Sequence, residues 1–125
     1  MATSDRQTAL ADVKVGDVVY GISAAGHEKL LLVIDADADR ILTRHVTSQS
    51  LAEFGRDGRS RRIPTGGSCT IVSTAALPVA DHAVAVGIDR KMRAAKELTD
   101  LKLSKEEIDL ILSYGEFYKA RLLPD

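Results

Sequence analysis

"VGDVVYGISAAGHEKLLLVID", residues 15–35, is the stretch whose reading decides the fold. Gly16-Asp17 is a turn pair, and the residues that follow it, 18–23, are mostly β-branched or aromatic, which favours an extended strand. Gly26 offers the next turn. The run "EKLLLVID" after it is continuously apolar rather than alternating, so both faces of that strand are expected to be covered and the strand to sit centrally in a sheet.

Outward from this pair, the same texture continues to residue 75. "DADADR" turns the chain into "RILTRHVT", and "LAEF", "RSRRI" and "SCTIVSTA" follow as further strand candidates, separated by Gly, Asp and Ser clusters. Six short strands in an open sheet would leave edges exposed, so closure into a small antiparallel barrel is the economical solution. The opening "KVGDVVYG" and the long apolar strand after it resemble the start of SH3-like small barrels, a resemblance that covers a third of the chain.

From Asp81 onward the pattern is helical. Pro78 breaks the preceding strand, Asp81 can cap, and Val84, Ile88 and Met92 recur at i, i+4 spacing. Ser104 and Glu107 form an S-x-x-E capping box, and Ile108, Ile111, Leu112 and Tyr118 are expected to mark the buried face of the last helix. Gly115 is expected to bend or fray its end. The fold class is therefore α+β: a small antiparallel SH3-like β-barrel (residues 13–76) followed by two C-terminal helices (80–122), forming one domain over 13–125 behind a flexible leader at 1–12.

Composition narrows the function classes. A chain of 125 residues, 45% apolar and 28% charged, fits a single globular domain rather than a disordered chain. No apolar run approaches the length of a membrane span and the N-terminus lacks a signal-peptide pattern, so a cytoplasmic, soluble protein is expected. The one cysteine, Cys69, is read as a reduced thiol in a strand. The net charge of −1 hides an uneven distribution: −4 over residues 1–39, +6 over 40–96 and −3 over 97–125. The basic middle is a footprint for an anionic partner unless the acidic ends fold back beside it.

Candidate chemistry is sparse. Asp35, Asp37 and Asp39 are spaced like the first ligands of a calcium loop, but Arg40 and Val46 stand where such a loop needs Gly and a bidentate Glu, so a solvated turn is expected. His27, His45 and His82 lie on three different elements, and no metal or cofactor is expected. In "RHVTSQS", His45, Thr47 and Ser48 cluster as a base beside two hydroxyls, without an orienting third group. "GDVVYG" and "GHEKLLLVI" resemble the opening of plasmid-maintenance ribonuclease toxins built on SH3-like barrels, although Glu28, Lys29 and Leu30 replace that family's Arg-Pro pair. "GGSCT" has no lysine and leads into a strand, unlike a phosphate loop.

What remains is basic. Arg56, Arg59, Arg61 and Arg62 surround an Asp57-Gly58 pair suited to a type I′ turn, which predicts a projecting hairpin with Arg59 and Arg61 on one side. Arg90, Lys91 and Arg93 form the second basic stretch. The expected function is a non-enzymatic binding or adaptor module that presents these residues to an acidic protein surface or a nucleic-acid backbone. A ribonuclease-type enzyme is the first alternative. The second is a self-assembling subunit, a homo-oligomer joined through Tyr114, Phe117 and Tyr118.

Overall fold

Strand β2 is the organising element, as its unbroken apolar run implies. The computed structural model describes residues 5–61, 68–97 and 101–124, in the order α1 (Asp5–Ala11), β1 (Val18–Ser23), β2 (Glu28–Ala36), β3 (Arg40–His45), β4 (Leu51–Gly55), β5 (Cys69–Ser73), α2 (Val79–Ala94) and α3 (Lys105–Lys119). All strand pairs are antiparallel and the order is β4-β3-β2-β1-β5, with β2 in the middle. The sheet curls into a half-barrel.

Alternation along the strands builds two cores, one on each face. Val19, Leu31, Val33, Ile41, Phe54, Cys69 and Ile71 fill the concave side. Val18, Tyr20, Leu30 and Leu32 point the other way, against Leu77, Ala85 and Ile88 around α2 and Leu110, Tyr114 and Tyr118 of α3. Each fully buried aliphatic side chain contributes roughly 1.5–3 kcal/mol, so a strand buried on both sides is worth more than any other here. At Gly21 an added Cβ would come within 2.9 Å of Leu31 and 3.3 Å of the Thr70 carbonyl, so β5 packs close because that position is glycine.

Register divides the half-barrel into two ends. Ser23, Glu28, His45, Leu51 and Cys69 lie at one, and Ala36, Arg40, Gly55 and Ser73 lie at the other. At the second end the segment read as a leader does more than trail: residues 5–11 are helical, and Leu10 and Val13 are buried in the concave core. Leu10 near the end of the helix and Val13 just beyond it dock this short, roughly two-turn segment there.

The helices correct three local expectations. Helix α2 begins at Val79 with Pro78 at its N-cap position and no side-chain cap, leaving Asp81 in the first turn instead. Helix α3 has the expected capping box, with Ser104 and Glu107 bonding reciprocally. Its buried face, however, is Glu107, Leu110, Tyr114 and Tyr118, while Ile108 and Leu112 are 45% and 78% exposed. The helix continues through Gly115, and beyond it the Leu123 N–H donates to the Val72 carbonyl of β5. No described helix is long and apolar enough to cross a membrane.

Candidate anion-binding surface

The arginine stretch does not form a free tip. Gly58 N–H donates to the Gly55 carbonyl and Gly55 N–H to the Arg59 carbonyl, which closes the turn on the β4 side. Gly58 has a φ of +82° whereas Asp57 does not enter the left-handed region, so the expected type I′ turn, which needs both, is replaced by a turn ending in a left-handed glycine. On the other side, Ile71 N–H donates to the Gly58 carbonyl and Ser60 N–H to the Cys69 carbonyl of β5. Residues 58–60 therefore bridge the two edge strands. The projecting hairpin becomes a staple across the seam of the half-barrel, which satisfies edge groups that would otherwise stand open.

Arg56 turns back onto the fold. Its guanidinium donates to the Leu10 carbonyl at 2.8 Å, to the Val13 carbonyl at 3.0 Å, and twice to the Asp37 carbonyl, at 2.6 and 2.8 Å. It thus ties α1 and the β2–β3 turn to β4. At Arg56 the arginine stretch therefore has the acidic "DADAD" turn as its neighbour.

That turn is itself an ion-pair network rather than a calcium loop. Arg40 reaches Asp35 at 2.7 Å, Asp37 at 3.4 Å and Glu53 at 3.4 Å. Backbone N–H groups of Asp39 and Arg40 donate to the Asp37 carboxylate and, with the Arg40 charge, hold its pKa below the usual range. Among the described residues no cluster of His, Cys, Asp or Glu is placed to hold a metal.

Alternation sets the faces of the staple. Ser60 lines a small cavity inside the half-barrel, so Arg59 and Arg61 face out, and both are exposed. Neither guanidinium is held in an ion pair by another described residue. Arg62 lies outside the described residues. Of the second basic stretch, Lys91 donates to Glu107 and to the Lys102 carbonyl, and Arg93 pairs with Asp89 at 3.3 Å, leaving Arg90 as its exposed, unpaired member among the described residues. Among the described residues, the candidate arginines left exposed and without an ion pair are Arg59, Arg61 and Arg90.

The aromatic candidates are internal. Tyr118 stacks on Tyr20 with ring centroids 5.1 Å apart, Tyr114 meets Tyr20 edge-on, and Arg121 lies over Phe117 at 4.0 Å. Tyr114, Phe117 and Tyr118 therefore build the helix–sheet contact. Burial pushes the Tyr114 phenol up to about 12, helped by the Glu28 carboxylate. The Tyr20 hydroxyl is, among the described residues, the one buried side-chain polar atom that makes no hydrogen bond of ordinary length, although the Glu28 carboxylate lies near enough to act on it and, after burial, helps to raise its pKa.

His45 closes β3 at the first end of the half-barrel. Its Nε2 lies 3.0 Å from Thr47 Oγ1 and its Nδ1 2.8 Å from Ser48 Oγ, which in turn touches Ser50 Oγ at 2.8 Å. Both ring nitrogens are thus engaged by hydroxyls of the turn that follows. Burial, and then the Lys29 charge, lower its pKa to about 4, so at neutral pH the ring is an uncharged spacer that holds the turn.

A cluster that sequence reading missed fixes the helices to the sheet. The Asp89 carboxylate, 1% exposed, accepts two bonds from Arg44 and one from Gln49, and pairs with Arg93. Gln49 adopts a φ of 64° to reach it. Compared with protein-family models, with curated proteins and with solved structures, the chain matches none.

Proposed function

We propose that this protein is a small non-enzymatic binding module, a half-barrel of SH3-like type, that contacts the phosphate backbone of single-stranded nucleic acid through Arg59 and Arg61. One observation carries the reading: both arginines face outward from a segment hydrogen-bonded to strands on either side, so their backbone is fixed before any partner arrives. Two residues apart on an extended segment, they stand roughly 7 Å from each other, and each guanidinium can grip a phosphate with two parallel bonds. Preorganised cations lose less entropy on binding than mobile ones.

The aromatic inventory shapes the specificity. All five aromatic side chains of the chain are buried or partly buried, so no ring is offered for base stacking. Contact is expected to be with the backbone and indifferent to sequence. A fluorescence-anisotropy titration with a labelled oligothymidylate tests this. Affinity that falls steeply with salt supports the reading, and salt-independent affinity contradicts it.

Self-association is a second reading, favoured by one feature. Ile108 and Leu112 lie exposed one turn apart on α3, next to the partly buried Ile111. A light-scattering mass of one chain at high concentration would count against it.

A further inference from the structure

The end of the half-barrel away from α1 encloses a cavity of about 30 Å³, whose polar wall is Lys29, His45, Ser50, Ser60 and Cys69. We propose that this cavity is a binding site for one oxyanion, the phosphoryl group of a phosphate or phosphodiester. The proposal uses side chains other than Arg59 and Arg61, so it can stand or fall apart from the backbone-binding reading.

Charge and donor chemistry carry it. No carboxylate lines the cavity, and Lys29 is partly buried with no hydrogen-bond or ion-pair partner among the described residues. A cation withdrawn from water without a counter-ion is costly, which makes such a site receptive to an anion. Lys29 alternates with Leu31 and Val33 on the concave face of β2 and lines the cavity together with His45 and Cys69. Ser60 Oγ accepts the Cys69 N–H at 3.0 Å, which leaves the Ser60 hydroxyl hydrogen available to donate. His45 is uncharged and its nitrogens are taken by Thr47 and Ser48, so it shapes the wall without adding an acceptor. Space agrees with the chemistry: a water-sized oxygen needs roughly 10–15 Å³, so about two oxygens enter while the rest of a tetrahedral phosphate stays at the mouth.

An NMR titration of the ¹⁵N-labelled full chain with inorganic phosphate, at ionic strength held constant with sodium chloride, tests the site. The amides of Lys29, Ser50, Ser60 and Cys69 should shift saturably. Lys29→Met should weaken the response at least tenfold and Ser60→Ala several-fold, while Arg59→Ala/Arg61→Ala leaves it within twofold. Linear, unsaturable shifts, shifts centred on Arg59, Arg61 and Arg90, or an unchanged response in both Lys29→Met and Ser60→Ala would overturn the proposal. Equal saturation by acetate would overturn the phosphoryl assignment.

Discussion

Arg44 of β3 and Asp89 of α2, 45 residues apart in the chain, meet in two parallel hydrogen bonds of 2.8 Å, and this pair locks the helical layer onto the half-barrel. Burial alone would raise the Asp89 carboxyl, but the bonds from Arg44 and Gln49 and the charges of Arg44 and Arg93 outweigh it and hold the group below the usual range. Removing one partner strands the other. Asp89→Ala should cost about 3 kcal/mol by denaturant unfolding, and Arg44→Met/Asp89→Leu clearly less than the sum of the two single changes.

The same depressed carboxyl fixes a pH dependence. Its contribution is full above the unfolded value of roughly 3.9 and is lost as pH falls through the lower folded value. His45 acts in the same direction over a higher window. Because its folded pKa of about 4 lies below the unfolded value of roughly 6.5, the unfolded chain binds the proton more tightly, and stability falls as pH drops from 6.5 towards 4. His45→Gln should flatten the stability profile between those limits while leaving the acid limb set by Asp89.

Arg56 should behave as a structural residue. Its four bonds to carbonyls of residues 10, 13 and 37 are charge-assisted, a kind of bond whose net contribution is roughly 1.5–3 kcal/mol, and Arg56→Ala should destabilise the fold by about 2 kcal/mol. Hydrogen exchange at residues 7–13 should rise first, with β2 still protected. Oligonucleotide affinity measured below the unfolding transition should not change.

Tyr20→Phe should stabilise the protein. The hydroxyl is buried and makes no hydrogen bond of ordinary length, the nearby Glu28 carboxylate being too far to satisfy it; such a condition costs roughly 1–3 kcal/mol, and the ring's stacking on Tyr118 does not need the hydroxyl. The denaturant midpoint should rise with the slope unchanged. A lower midpoint would mean that the hydroxyl has a partner in solution.

Much of the fold was legible because it depends on local chemistry. The turn at Gly16-Asp17, the unbroken run of β2 and the Ser104/Glu107 box each announce an element by rules that act within a few residues. The buried face of α3 was harder, since Ile108 and Leu112 make as good an apolar stripe as Leu110 and Tyr114, and only the position of the sheet decides between them. The fate of the arginines was not written locally at all. Arg56 and Arg59 are three residues apart in one basic run, yet one meets the carbonyls of Leu10 and Val13 across the fold while the other faces solvent. Likewise nothing near Asp89 names Arg44 as its partner.

The most direct test of the central claim is the salt dependence of oligothymidylate binding for the unaltered chain and for Arg59→Ala/Arg61→Ala, with folding confirmed by circular dichroism. Each phosphate contact on a single strand contributes roughly −0.7 to the slope of log K against log salt. The account predicts a measurable negative slope that becomes shallower by about 1.4 in the double variant, with affinity falling at least tenfold. An unchanged slope and affinity in the folded variant would contradict it.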